Sequence, residues 1–260
     1  MVPDGAATGR FFDVEGKTLH YTMLGEGHEG RPIVFLHEGL GSVELWRSFP
    51  SDVVERVGRP GLAYSRQGNG WSSPLEERRL PDYMHHEALE VLPRVLDRLV
   101  GGPTILVGHS DGASIALVYA GAGHPVEQLV LIAPHVFVED ETIESIAAIR
   151  TAFEGSDMAE KMSRYHTEPR TTFYGWADIW LSPEFRDWNI EDYLTGVTCP
   201  TLLVQGSADQ YGTDRQLDVI EARVTAPTER VSIETAGHSP HLSHPDLVTS
   251  AIAGFIDRHR

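Results

Sequence analysis

Cysteine is almost missing from this 260-residue chain: Cys199 is the single thiol, so neither an intrachain disulfide nor a cysteine-built metal cage can form. It stands before Pro200 at the approach to an apolar run, where a small packing residue is the expected role. Long hydrophobic runs are missing too, and no apolar stretch reaches the ~18 residues of a membrane span. The segment Met1 to Arg10 lacks the basic stretch and apolar stretch of a secretory leader, so the expected location is the cytoplasm. Basic residues are outnumbered, 21 against 38 acidic ones for a net charge of −17. Nucleic-acid phosphates would be repelled, and no dense basic stretch reverses that. No repeat or low-complexity segment appears. His85 and His86 have no partner at metal-ligand spacing, so no metal is expected.

What is present is enough for one sizeable core, with 41% hydrophobic residues. Short apolar runs alternate with helical patterns, as in βαβ units around a largely parallel sheet. Phe11 to Leu24 reads as a strand pair turning at Glu15-Gly16-Lys17. Further strands are expected at Ile33–Leu36, Gly61–Tyr64, Ile105–Val107, Leu129–Ile132, Leu202–Val204 and Val231–Ile233. Pro81 to Val100 reads as a helix, with Leu89, Leu92, Leu96 and Leu99 at helical steps. Pro93 should bend it. Pro245 to His259 reads as an amphipathic helix whose apolar side is Leu247, Ile252, Phe255 and Ile256.

The rhythm breaks once, between Ile132 and Leu202. That stretch has no convincing strand but many aromatics, among them Phe153, Phe173, Trp176, Trp180, Phe185 and Trp188. A structureless loop of such length is improbable inside a compact domain. A helical insertion over residues 135–196 is therefore expected, between core segments 1–134 and 197–260. Some of its aromatics should fill its own small core, while others shape an apolar pocket.

One motif carries chemistry. Gly108-His109-Ser110-Asp111-Gly112 follows the apolar run Thr104–Val107 and precedes a helix of small residues, Ala113 to Ala120. This is G-x-S-x-G between a strand and a helix, where a serine sits in a strained turn at the carboxyl edge of a sheet. Glycines at both ends remove Cβ atoms that so tight a bend would not accommodate. Ser110 is thus a candidate nucleophile, and it needs a base. Asp209 follows the run Leu202–Gly206, and His238 follows Val231–Glu234, so both belong to loops at the same sheet edge. The order Ser, Asp, His suits such a sheet, with His238 as base and Asp209 as its orienting carboxylate. His241 and His244 are nominal rivals, His244 standing as the flank of a helix start.

An acyl-transfer site also needs donors for the oxyanion. The run Ile33–Leu36 ends in His37-Glu38-Gly39-Leu40-Gly41-Ser42, a glycine-containing loop at that edge. One donor is assigned to the N–H of Gly39, in preference to Leu40, and the other to the N–H of Asp111. His37 is expected to be structural, and the Asp111 carboxylate to favour the helix dipole. Leu40, His135, Trp176 and Trp180 are the candidate substrate-binding residues.

With these residues the chain resembles the α/β-hydrolase superfamily, in its small, capped group of esterases, C–C bond hydrolases and proline-iminopeptidase-like enzymes. The likeness runs nearly end to end. It rests on His37 to Ser42, Gly68-Asn69-Gly70-Trp71-Ser72, Gly108 to Gly112, Gly206 to Asp209 and Gly237-His238. It implies an α/β-hydrolase fold with an eight-stranded, mostly parallel sheet, helices on both faces and a helical lid after the sixth strand. It also implies hydrolysis through an acyl-enzyme without a cofactor, on a small-molecule substrate, by a monomer or homodimer.

Two positions depart from the family pattern. Glu38 replaces the glycine that usually follows the loop histidine, and Tyr64-Ser65-Arg66-Gln67 lacks the usual aspartate before Gly68. A new acid beside a new base is expected to form a Glu38–Arg66 pair. The alternative has Glu38 facing the pocket, favouring a cationic substrate group. The expected reaction is hydrolysis of a small carboxylic ester, thioester or related acyl compound. C–C bond cleavage of a ring-fission product, cleavage at an N-terminal residue, and a non-catalytic ligand-binding role on the same scaffold remain open beside it.

Overall fold

The apolar runs assemble by the alternation of their side chains. In the computed structural model, which describes residues 9–260, eight strands form one sheet in the order β1-β2-β4-β3-β5-β6-β7-β8. They are β1 Arg10–Val14, β2 Lys17–Leu24, β3 Ile33–Leu36, β4 Gly61–Tyr64, β5 Thr104–His109, β6 Val126–Ile132, β7 Thr201–Gly206 and β8 Thr228–Ile233. Only the β1–β2 and β2–β4 pairs are antiparallel. The leader reading for the opening residues falls mostly on positions 1–8, outside the described residues.

Alternate residues of each central strand enter opposite layers, as the period of two requires. Ile33, Phe35, Ile105, Val107, Val130, Ile132, Leu202 and Val204 meet helices α1 (Phe49–Val57) and α11 (Pro245–Arg258). Val34, Leu36, Leu106, Leu129, Leu131 and Leu203 face the other layer. That layer holds α2 (Tyr83–His86), α3 (Leu92–Leu99), α4 (Asp111–Gly121) and α9 (Asp214–Arg223). Because strands with both faces covered need apolar side chains at every position, Ile33–Leu36 and Gly61–Tyr64 coincide with their expected spans.

Pro93 acts differently from a simple bend. Between α2 and α3 the chain makes a wide π turn over Glu87–Val91, and Pro93 falls in the first turn of α3. There its missing N–H leaves no bond unmade. In α11 the buried side is Val248, Ile252, Phe255 and Ile256, whereas Leu247 is 58% exposed. Leu247 therefore does not belong to the apolar side assigned to it; it lies in the first turn, one step off the stripe.

Between β6 and β7 the chain forms α5 (Asp140–Phe153), α6 (Met158–Met162), α7 (Pro169–Trp180) and α8 (Glu191–Leu194). Aromatic contacts hold this insertion together: Phe153 stacks on Phe173 at 3.7 Å, and Trp188 on Phe185 at 5.3 Å. It is tied to the core at the loop after β4. Thr167 N–H donates to the Gly70 carbonyl, Thr172 Oγ1 to the Gly68 carbonyl, and Gly70 N–H to His166 Nδ1. Short α10 (Pro240–Ser243) links the β8 loop to α11. Among the described residues no helix is long and apolar enough to cross a membrane, and no group of three or more metal-binding side chains gathers. Cys199 is buried, and burial pushes its thiol up to about 11.

Candidate active site

The turn after β5 is sharp and strained. Ser110 has φ 54° and ψ −119°, a conformation costly for a residue with a Cβ. A Cβ at Gly108 would lie 2.4 Å from the Gly112 carbonyl oxygen, and one at Gly112 only 1.9 Å from that of Leu36. Both glycines are thus required for strand and helix to approach so closely. Ser110 N–H donates to the Ile132 carbonyl, which fixes the turn to the end of β6.

The loops after β7 and β8 are bonded to each other. Ser207 N–H donates to the Ile233 carbonyl, Ala208 N–H to that of Ala236, and Thr235 N–H to Ser207 Oγ. This brings His238 Nδ1 to 2.9 Å from both carboxylate oxygens of Asp209. Gln205 Nε2 and the Tyr211 N–H also donate to that carboxylate, at 2.7 and 2.8 Å. Burial by itself pushes the Asp209 carboxyl up, but the bonds from His238 and Tyr211 outweigh it, and the group lies below its usual range. His238 is also pushed down, by burial first, against the opposing pull of Asp209. It is therefore neutral at neutral pH, the form able to accept a proton.

Ser110, Asp111, His238, Gly39, Leu40, His135, Trp176 and Trp180 all line one cavity of about 180 Å³. The Ser110 hydroxyl and the His238 imidazole face this cavity without a hydrogen bond between them. Such pairs are often long in unliganded sites and tighten with substrate. Asp111 opens α4, where its N–H has no intrahelical acceptor. Neither that N–H nor Gly39's finds an acceptor among the described residues. A larger groove, about 310 Å³ between Leu75–Arg79 and α7, has no histidine in its lining and so no base for a nucleophile.

The lining splits the aromatics of the insertion. Trp176 and Trp180 face the cavity, while Phe153, Phe173, Phe185 and Trp188 are buried away from it, in the apolar layer that the insertion shares with the sheet. Trp180 Nε1 donates to Tyr83 Oη, and Tyr83 donates to Asp111 Oδ2 at 2.7 Å. The Asp111 carboxylate is thus held by a tyrosine hydroxyl, in addition to its place at a helix start. His135 Nε2 donates to the Tyr211 carbonyl, and its ring lies 5.7 Å from that of His238.

The Glu38–Arg66 pair is not formed. Arg66 donates instead to the backbone carbonyls of His37 and Glu38, clamping the loop after β3. Two carbonyls close together match the guanidinium fork, and this leaves the Glu38 carboxylate to turn away. It borders the cavity and lies 3.4 Å from His109 Nδ1. Burial pushes Glu38 up, but the bond from His109 and its charge dominate, holding the carboxyl far below the usual range. His37 is fully buried. Its Nδ1 donates to the Glu38 carbonyl while Nε2 accepts from the Arg66 N–H, so both nitrogens are occupied as a structural residue's would be. His241 is buried between Trp46 and Phe49, and His244 stands at the start of α11.

Three cavity residues escape sequence reasoning: Thr142, Ile146 and Tyr211. Thr142 and Ile146 are one helical step apart on α5, a signal that a core stripe gives equally. Tyr211, whose ring lies 4.9 Å from that of His238, has only its place two residues after Asp209 as a signal.

Residues 33–251 match the model of the alpha/beta hydrolase family. A proline iminopeptidase of Lactobacillus helveticus is 23% identical over 285 residues, covering 94% of this chain and 96% of that one. Two solved structures superpose over nearly the whole length. The CarC serine hydrolase involved in carbazole degradation gives a TM-score of 0.72 at 20% identity, covering 96% of this chain and 98% of that one. A thermophilic esterase from Thermogutta terrifontis gives 0.69 at 19%, covering 98% and 100%. At such identities the structural likeness concerns the fold.

Proposed function

Because this chain belongs to the alpha/beta hydrolase family, we propose that it is a serine hydrolase acting on a small carboxylic ester or related acyl compound. The observation behind this function is the Asp209–His238 pair, whose imidazole borders the same cavity as the strained Ser110. His238 Nε2 takes the hydroxyl proton as Ser110 Oγ bonds to the acyl carbon. The carbonyl electrons move onto oxygen, and that oxyanion accepts hydrogen bonds from the N–H groups of Gly39 and Asp111. Collapse of that intermediate breaks the bond to the leaving alkoxide, which takes the proton from His238. Water, giving a proton to His238, then attacks the acyl-enzyme; the bond to Ser110 Oγ breaks, that oxygen takes the proton back from His238, and the acid leaves. Asp209 keeps the imidazole in the tautomer that presents Nε2. No step calls for a cofactor.

The cavity chemistry weighs the alternatives. Its lining carries Glu38 and Asp111 but no arginine or lysine, which disfavours the doubly anionic ring-fission products of C–C hydrolases. Glu38 at the rim keeps an aminoacyl substrate as the second reading. The iminopeptidase relative, matched over 94% of this chain, agrees with that second reading. A binding protein without catalysis would have no use for a base whose carboxylate partner is itself fixed by two further donors.

Labelling by a fluorophosphonate probe, lost in Ser110→Ala, together with p-nitrophenyl ester hydrolysis lost in the same variant, is the expected result. Unchanged hydrolysis by Ser110→Ala would refute the assignment. Parallel assays with aminoacyl-naphthylamides decide between the two substrate readings.

A further inference from the structure

We propose that Glu38 and His109 are positioning residues for the base, holding the main chain of His238 through a hydrogen-bond chain that runs from the loop after β3 to the loop after β8. The proposal rests on the hydrolase function above. His109 is the last residue of β5 and is 1% exposed. Its Nε2 lies 2.8 Å from the His238 carbonyl oxygen and its Nδ1 3.4 Å from Glu38 Oε2.

The proton count gives this arrangement its content. A carbonyl oxygen only accepts, so Nε2 must carry hydrogen. The other nitrogen faces the Glu38 carboxylate, which holds that side of the ring. Remove the carboxylate and nothing orients the ring from that side. His238 is then held at two points, its ring by Asp209 and its backbone by His109. Asp209 alone leaves the main chain of a loop residue free to shift.

The surroundings leave few other partners for His109. The rings of His238 and His241 lie 5.1 and 4.5 Å away, and Trp46 6.2 Å. His37 stands next to Glu38 in the loop, with both nitrogens occupied. Space is also arranged for the carboxylate: a Cβ at Gly41 would lie 2.5 Å from Glu38 Oε2.

The test is the second-order rate at which a small, uncharged fluorophosphonate labels Ser110, since that reaction needs His238 but no substrate ammonium. Glu38→Ala should slow labelling by about tenfold or more, the scale of a small misplacement of a catalytic group. Glu38→Gln should recover most of the rate, because its amide N–H can donate to Nδ1 while Nε2 keeps its hydrogen. Glu38→Asp keeps the charge but is one methylene too short, and should behave like Glu38→Ala; it also serves if Glu38→Ala does not fold. Equal rates for Glu38→Asp and the parent chain overturn the proposal. So does a Glu38→Gln loss as large as that of Glu38→Asp. A defect confined to KM for aminoacyl substrates, with labelling untouched, overturns it in favour of direct substrate contact. If the unaltered chain is not labelled at all, the hydrolase function itself fails and this proposal falls with it; normal labelling with no Glu38 effect sinks the proposal alone.

Discussion

Trp176 of the insertion lies directly on Gly39 of the loop after β3: a Cβ at position 39 would come within 2.2 Å of the indole Cδ1. The indole and the proposed oxyanion donor therefore share one wall of the cavity. Gly39→Ala must move either the indole or the loop. Loss of one donor costs about 2.7–4 kcal/mol of barrier, so kcat on a p-nitrophenyl ester should fall about a hundredfold or more. The double variant Gly39→Ala/Trp176→Ala should regain part of that loss, and steady-state kinetics on both proteins check it.

Trp176→Ala alone should act on specificity. Opening one wall of a cavity of about 180 Å³ should shift preference toward longer acyl chains, read from a series of graded p-nitrophenyl esters. Trp188→Ala is the contrast. That residue is buried outside the cavity lining, so it should cost about 3–5 kcal/mol of stability and leave the chain-length profile in place.

The rate should fall with acid in a defined direction. Burial holds His238 below its ordinary value of 6.5, and only the neutral ring accepts the Ser110 proton. The acid limb of kcat/KM should therefore have its midpoint below 6.5. Asp209→Asn removes the carboxylate that orients the ring and should lower kcat by about 10⁴-fold, as for other such triads. A pH–rate profile of both proteins supplies the measurement.

Stability should show a separate acid dependence through His166. Burial pushes this ring down to about 4, while unfolding returns it to its ordinary 6.5. Between those values the unfolded chain binds more protons, so stability rises with pH across this window and is lost as pH falls through it. The span corresponds to about 3 kcal/mol. Protonated Nδ1 also cannot accept from the Gly70 N–H, the bond that docks the insertion. Urea unfolding at pH 4.5 and 7 should show a smaller difference for His166→Asn than for the parent chain.

Local signals carried further in some segments than in others. Continuous apolar runs announced buried strands, and the glycines about Ser110 announced a turn that tolerates no Cβ at either end. In Pro81–Val100 the leucine spacing marked the helix, yet the π turn at Glu87–Val91 has no periodic signature. Leu247 is apolar by type, yet it stands one step off the buried stripe of α11 and is left exposed.

The amino-acid order by itself determined which residues could do the chemistry: a serine between close-packed glycines, then an acid and a histidine each following an apolar run. It also determined that a helical insertion interrupts the alternation, since no strand pattern occupies that stretch. Tertiary structure alone decided where the charges point. Arg66 and Glu38 are suitable partners by sign, but the guanidinium met two backbone carbonyls first, and the carboxylate found His109 across the sheet edge. The sorting of aromatics between pocket and core was decided the same way. Orientation depends on neighbours brought from distant parts of the chain, and those neighbours leave no trace in local spacing.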